Sequence, residues 1–290
     1  MNWTSSSRGA FRFEGVAMDV PALQDLEQLM DAAWPAPDRR QSGGWVLRAA
    51  SGVTQRANSV WPRDPNGDSH AHHAALRAAR LWYRERRLPL IFQLFEDPRS
   101  AGLHAVLDEE GFTRQSETVV MWRSATEPAR VTGRPVHPPE KPQPAVELSA
   151  EPSTEWLDLW WQADGRGGPG ELATARTILT GCPSLYALVR AQDGRPAAVG
   201  RIALPPAGEA GTWGGIYGMA TRPDARRQGH ARRILHALLD AGAAGHVDGY
   251  WLLVTAANHG AQQLYTGAGF SEAGRYLYRQ DRPKRHLTGC

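Results

Sequence analysis

Apolar positions along the chain switch repeatedly between a helical and an alternating period. Leu23, Leu26, Leu29 and Met30 share one helical face, and Trp34-Pro35 ends that helix. Residues 44–48 and 53–61 read as strands joined through Ser51-Gly52. Asp68 predicts the N-cap of a helix running to about Arg87, residues 90–95 a strand, and residues 100–110 a second helix. Gly111-Phe112 then opens a strand over residues 116–122. Further on, residues 153–155 cap a helix carrying Trp156, Leu157, Leu159, Trp160 and Trp161, and a glycine-rich loop covers residues 165–170. Leu172, Ala175, Ile178 and Leu179 mark another short helix, followed by strands 185–189 and 197–204 about the turn Asp193-Gly194.

The stretch from Trp213 to Phe270 carries the most information. Residues 213–220 read as a strand ended by the turn Pro223-Asp224, and Ile234, Leu235, Leu238 and Leu239 recur at helical spacing. Arg226-Arg227-Gln228-Gly229-His230-Ala231-Arg232 therefore lies where a loop becomes a helix N-terminus. The first N–H groups of a helix have no intrahelical partner and stand at the positive end of its dipole, so such a place favours an anion. Gly229 permits a sharp turn and close approach, Ala231 is small, and the arginines offer charge-assisted bonds. On its own, the same arrangement equally describes a solvated turn. Downstream, residues 250–254 form a short apolar strand, Asn258 to Tyr265 open another helix, and Gly267, Gly269 and Phe270 close it before a last strand through Tyr276 and Tyr278.

With both stretches in place, the chain resembles the GNAT superfamily of N-acetyltransferases. Arg226-x-x-Gly229-x-Ala231 matches that family's pyrophosphate loop, and Asn258-x-x-Ala261-x-x-Leu264-Tyr265-x-x-x-Gly269-Phe270 matches its second motif, in the same order and structural context. The resemblance implies acetyl-CoA as co-substrate, with no metal, and transfer of its acetyl group to a primary amine by direct attack in a ternary complex. It also implies that the pantetheine arm pairs with Met219, Ala220 and Thr221, that residues 226–232 and Asn258 hold the cofactor, and that Tyr265 protonates the departing thiolate. Two residues keep a plainer reading beside this one. Tyr265 fits core packing, and Asn258 fits an ordinary helix cap. The general base stays open: relatives often carry a carboxylate on the strand that here runs 213–220, which has none, leaving Tyr217, Glu209, Asp164 or a water. A CoA-binding regulatory or scaffold protein without turnover, and a protein lysine or N-terminal acetyltransferase, are the alternative readings.

The element order of residues 44–122 repeats that of residues 185–278, with Phe112 and Phe270 at corresponding places. This predicts an α/β (α+β) fold of two tandem GNAT-like domains, each a mixed, mostly antiparallel sheet flanked by helices. The boundaries expected are a degenerate domain over 1–124, a linker over 125–149 rich in proline (Pro135, Pro138, Pro139, Pro142, Pro144), and a catalytic domain over 150–290. Where the first copy needs a phosphate loop it has residues 62–68, with Asp64, Asp68 and two prolines, which repel an anion and withhold N–H groups. Arg56, on the strand corresponding to the one with Met219, either faces the cleft between copies or belongs to a solvated strand face.

Composition narrows the partners. A net charge of +3 and a pI near 9.1, with Arg far outnumbering Lys, suit an acidic small molecule, while the lack of a dense basic run argues against nucleic acid. The acceptor expected is a small-molecule or peptide amine. Cys182 and Cys290 make no disulfide framework, no apolar run reaches spanning length, and the first residues lack a signal core, so a cytoplasmic protein with no membrane partner is expected. His70, His72 and His73 read as a solvated helix start rather than a metal cluster. Trp156, Trp160 and Trp161 either wall an acceptor pocket or pack as core.

Overall fold

The computed structural model describes residues 23–126, 144–165, 167–208 and 211–282. Most of the expected linker, Glu209, Cys290 and the Asp164 side chain lie outside the described residues. The first half contains α1 (Leu23–Ala33), β1 (Asp38–Ser42), β2 (Trp45–Ala49), β3 (Trp61–Pro62), α2 (Ser69–Glu85), β4 (Ile91–Phe95), α3 (Ala101–Glu109) and β5 (Thr113–Ser124). The second contains β6 (Val146–Ser149), α4 (Thr154–Asp164), α5 (Pro169–Thr180), β7 (Ser184–Arg190), β8 (Pro196–Ala203), β9 (Trp213–Thr221), α6 (His230–Ala244), β10 (Gly249–Thr255), α7 (His259–Gly267) and β11 (Ser271–Gln280). Among the described residues no helix is long and apolar enough to cross a membrane.

Helix starts follow from local chemistry. Asp68 accepts from the Ala71 N–H at 2.8 Å, Ser153 from Trp156 at 3.1 Å and Asn258 from Ala261 at 3.1 Å, so each satisfies a donor that its helix leaves unpaired. The segment expected as a strand over 53–61 is corrected by the same kind of bond. Asn58 accepts from the N–H groups of Ala50 and Gly52, both at 2.9 Å, and donates to the carbonyls of Val53 and Thr54. Its amide thus replaces a ladder, residues 56–58 form a 3-10 turn, and only Trp61–Pro62 pairs with β2. Strand β6, at the end of the segment expected as linker, is an edge strand on β7.

The α/β class, with mixed sheets flanked by helices, is as expected. Eight strands form one sheet in the order β4-β11-β5-β10-β9-β8-β7-β6, and β1-β2-β3 form a second sheet. That second sheet reaches β4 through a parallel bridge between Val60 and Phe92. In the second half β6 to β9 run antiparallel, while β9 and β10 run parallel across α6. The final strands of the two halves are exchanged: β11 pairs with β4, β5 pairs with β10, and the two lie antiparallel between them. Buried arginines fasten the exchange at both ends. Arg279 of β11 donates to the Phe112 carbonyl at 3.1 Å and pairs with Asp108, while Arg123 of β5 donates to the Ala268 carbonyl at 2.8 Å. Each satisfies a carbonyl just past a helix C-terminus, where a cation is favoured.

One apolar cluster joins α1, α4 and α5 to one face of the shared sheet, through Trp34, Trp156, Trp160, Tyr217, Trp251 and Tyr276. A second packs α6 and α7 on the opposite face, through Ile216, Ile234, Leu238, Tyr265 and Phe270.

Candidate active site

Strands β9 and β10 are paired only from Gly249↔Trp213 to Leu252↔Ile216. Beyond that β9 stays with β8 as far as Thr221, β10 stays with β5 as far as Thr255, and the two strands part. A bulge sits where they separate: Tyr217 opposes Arg201 and Ala220 opposes Val199, so Gly218 and Met219 together face Gly200. Gly218 has φ +60°, and a Cβ there would stand 3.1 Å from Trp156 and 3.6 Å from Trp160. Met219 and Thr221 are half-buried and Ala220 is buried. These three residues line the opened edge of β9, as the strand position required.

Past the bulge the chain turns at residues 223–225 and enters α6. Arg227 (φ 64°) and Gly229 (φ 83°) both adopt left-handed backbone. No side chain caps α6, and the first helical bond is Arg233 N–H to the Gly229 carbonyl at 3.1 Å. The N–H groups of His230, Ala231 and Arg232 thus have no intrahelical partner. Arg226, Arg227, Gln228, Gly229 and Arg232 are exposed around them. Asp224, the nearest acid in sequence, is taken up by Arg222 at 2.6 Å, which holds its carboxyl below the usual range. The corresponding start in the first half is closed, because the Asp68 carboxylate occupies the N-terminus of α2.

His230 departs from a direct contact role. It is 8% exposed, both ring nitrogens are buried without a hydrogen-bond partner, and burial, with Arg233 and Arg222 nearby, lowers its pKa. Its contribution to the loop is its backbone N–H. Asn258 caps α7, so its side-chain oxygen is already engaged and only its amide N–H groups stay available. Tyr265 is buried, edge-on to Phe270 at 6.2 Å, in the same apolar cluster that Met219 packs against. Tyr265 and the Met219 side chain therefore share the α6 side of the sheet, while Gly218 backs onto Trp156 on the other.

On the opposite face the second aromatic expectation resolves residue by residue. Trp156 is core: its indole N–H is shared between the Ala187 and Gly200 carbonyls, each at 3.1 Å. Trp160 meets Trp34 edge-on at 6.5 Å behind the bulge. Tyr217 points into this face and accepts from the Trp251 indole at 3.0 Å; burial raises its pKa, so at neutral pH it is a phenol and serves poorly as a base.

Sequence reasoning missed the group around Tyr217. Trp34 stacks on it at 5.4 Å, and the guanidiniums of Arg56 and Arg201 each lie over both rings, at 5.4 to 5.8 Å. Arg56 donates to the Tyr276 hydroxyl at 3.3 Å. Burial opposes ionisation of Tyr276 and Tyr278, but at Tyr276 Arg56 together with hydrogen bonds from Tyr278 and Thr118 outweighs it and holds that phenol below the ordinary tyrosine value, while Tyr278 is pushed well above. The available signals were the place of Arg56 opposite Met219 in the repeat and the alternation of Tyr276 with Tyr278 on one strand face.

The histidine triplet behaves as a helix start. His72 is buried with Nε2 3.0 Å from the Pro65 carbonyl, and His73 bonds Ser69. Among the described residues no group of three His, Cys, Asp or Glu side chains could hold a metal.

Comparison with known proteins agrees with this geometry. The model of a family described as "Probable histone acetyltransferase Rv0428c C-terminal" matches residues 21–279. The chain is 26% identical over 260 residues to an uncharacterized N-acetyltransferase, YobR, of Bacillus subtilis, covering 89% of this chain and 98% of that protein. It is 29% identical over 241 residues to the probable histone acetyltransferase Rv0428c of Mycobacterium tuberculosis, covering 81% of this chain and 68% of that one. Among solved structures it resembles a GCN5-related N-acetyltransferase from Kribbella flavida (TM-score 0.63, 20% identity, 90% and 94% of the two chains). It also resembles a tandem GNAT protein from the clavulanic acid biosynthesis pathway (TM-score 0.61, 14% identity, 91% and 89%). The chain thus belongs to the Rv0428c C-terminal family and is an acyltransferase of the GNAT type, a group that uses acetyl-CoA.

Proposed function

We propose that the second half of this chain, with boundaries near residues 150 and 290, binds acetyl-CoA and transfers its acetyl group to a primary amine. The observation that carries the reading is the succession of two features along one stretch of chain: the bulge where β9 and β10 part, and the uncapped start of α6, which begins eleven residues after Met219, past the turn at 223–225. Pantetheine amides would complete the ladder left open along Met219, Ala220 and Thr221. The pyrophosphate would meet the N–H groups of residues 230–232, with Arg226, Arg227, Gln228 and Arg232 around it and Gly229 leaving room. Acetyl-CoA, a substrate rather than a resident cofactor, supplies the activated thioester.

A backbone N–H near Met219 polarises the thioester carbonyl, and the neutral amine attacks it directly. Tyr265 protonates the departing thiolate, and Asn258 offers its amide N–H groups to the cofactor arm. Tyr217 is set aside as base; the amine arrives neutral, and the proton its nitrogen sheds after attack passes through water to restore the Tyr265 hydroxyl. The first half shapes the acceptor side and does not bind nucleotide. The name of the mycobacterial relative favours one further reading, in which the amine is a lysine of a protein.

The test is thiol release from acetyl-CoA across aminoglycosides, polyamines, amino acids, amino sugars and a lysine peptide. Amine-dependent release, lost in Gly229→Asp, is expected. Tight acetyl-CoA binding with no release toward any acceptor would instead favour a CoA-binding regulatory protein.

A further inference from the structure

The buried Arg201 and the partly exposed Arg56 lie beside Tyr217 and have no role in the reaction above. Arg201 is 0% exposed and donates to Ser184 Oγ (2.9 Å) and the Ala33 carbonyl (3.1 Å), and its Nη2 has no partner. Arg56 is partly exposed, and its Nε is buried without a partner. Among the described residues neither guanidinium makes an ion pair. The two acids that share a crevice with Arg56 are committed elsewhere. Glu27 and Asp31 line a small cavity together with Arg56, but Glu27 accepts from the Trp61 indole and Arg99, each at 2.7 Å, and Asp31 from Arg39 and Arg48 at 2.6 and 3.0 Å. Leaving a buried guanidinium without a counter-charge costs several kcal/mol, so Arg201, with the partly exposed Arg56 beside it, makes a site that favours an anion.

The position says which anion. Both guanidiniums flank the Trp34–Tyr217 stack, and Tyr217 lies two residues before Met219, on the face of the sheet opposite α6. If acetyl-CoA lies along Met219 to Thr221, as proposed above and on which this inference rests, the acceptor amine approaches from the Tyr217 side. The geometry points to an acceptor that carries a carboxylate a few bonds from its amine, an amino acid, with the carboxylate held by Arg56 from the first half of the chain. Arg56 is partly exposed and planar, with donors suited to a bidentate carboxylate; Arg201 adds positive potential from behind the rings. A polyamine or a bare lysine side chain would bring a cation to a wall that already carries two.

Matched acceptors test this. Thiol release is measured for a panel of amino acids, each beside its carboxamide and its decarboxylated amine, in wild type, Arg56→Gln and Arg56→Lys, with thermal unfolding as a check on folding. Wild type is expected to favour the carboxylate-bearing member at least tenfold in kcat/KM. Arg56→Gln should erase that preference by raising KM for that member alone, leave acetyl-CoA affinity unchanged, and be partly rescued by Arg56→Lys, which also serves if the Gln variant unfolds. Equal use of amide and acid, or a preference that survives Arg56→Gln, overturns the assignment. If no acceptor turns over although acetyl-CoA binds, calorimetry of the same amino acids in the presence of CoA decides: binding that needs both the carboxylate and Arg56 upholds the inference while the transfer reading fails, and absence of binding overturns it.

Discussion

Replacing Gly229 with Asp separates the fold from the binding of the donor. A Cβ at this position meets no protein atom within 4 Å, so the fold itself offers no steric objection, and the Asn variant serves as the control for crowding of the pyrophosphate. The residue would sit at φ +83°, costing roughly 1 kcal/mol for a side chain in the left-handed region, and an anion at a helix N-terminus returns about 0.3–1 kcal/mol. Stability should therefore stay within about 1 kcal/mol, or a few degrees in Tm. The new carboxylate would stand where a pyrophosphate oxygen is expected. Two like charges about 4 Å apart repel by ~1 kcal/mol in bulk water and ~4 kcal/mol at an effective dielectric near 20, a loss of about fivefold to a thousandfold in affinity. Calorimetric titration of acetyl-CoA measures this directly. Gly229→Asn, uncharged and tolerant of left-handed backbone, should lose far less. Equal losses in the Asp and Asn variants, or no loss in either, would refute the electrostatic account of the loop.

Other substitutions probe the remaining parts. Tyr265→Phe keeps the ring against Phe270, so folding and acetyl-CoA affinity should hold while kcat falls by about a hundredfold; a wild-type rate would remove the phenol from the reaction. Gly218→Ala should cost about 1–2 kcal/mol from the left-handed backbone and the tight Trp156 contact, lowering Tm by several degrees and reducing turnover with it. An unchanged Tm would mean that the bulge tolerates a side chain. His230 is held neutral by burial, so its lowered pKa adds stability that is complete above the ordinary histidine value and is lost as pH falls below it. His230→Leu should flatten that acid limb, raise stability at neutral pH by about 1 kcal/mol through removal of unpartnered nitrogens, and leave acetyl-CoA affinity unaltered; a large loss of affinity would give the ring a direct role.

The elements that sequence reasoning reached are those whose cause is local. The caps at Asp68, Ser153 and Asn258, the strand over residues 213–220 and the sharp turn at Gly229 each depend on a few neighbouring residues. The misread segment at 53–61 fails for a reason visible in one side chain, since Asn58 offers the backbone bonds that a ladder otherwise supplies. The exchange of β5 and β11 has no local signal at all. Either final strand carries alternation fit for the same slot, and only the fitted set of partners, with Arg279 reaching Phe112 and Arg123 reaching Ala268, selects the crossed arrangement. The charged aromatic group about Tyr217 was hidden for the same reason. It is assembled from α1, the turn at Arg56, β8, β9 and β11, which are far apart in the chain.

The first half was expected to lack a donor site, and the reason is a contrast between two helix starts: Asp68 closes α2 with its carboxylate, whereas Gly229 leaves α6 open. Backbone hydrogen exchange with and without saturating acetyl-CoA tests this most directly. The account predicts new protection confined to residues 219–221 and 226–232, with none over residues 62–71. Protection over 62–71, or unchanged exchange at 226–232 while acetyl-CoA is bound, would contradict it.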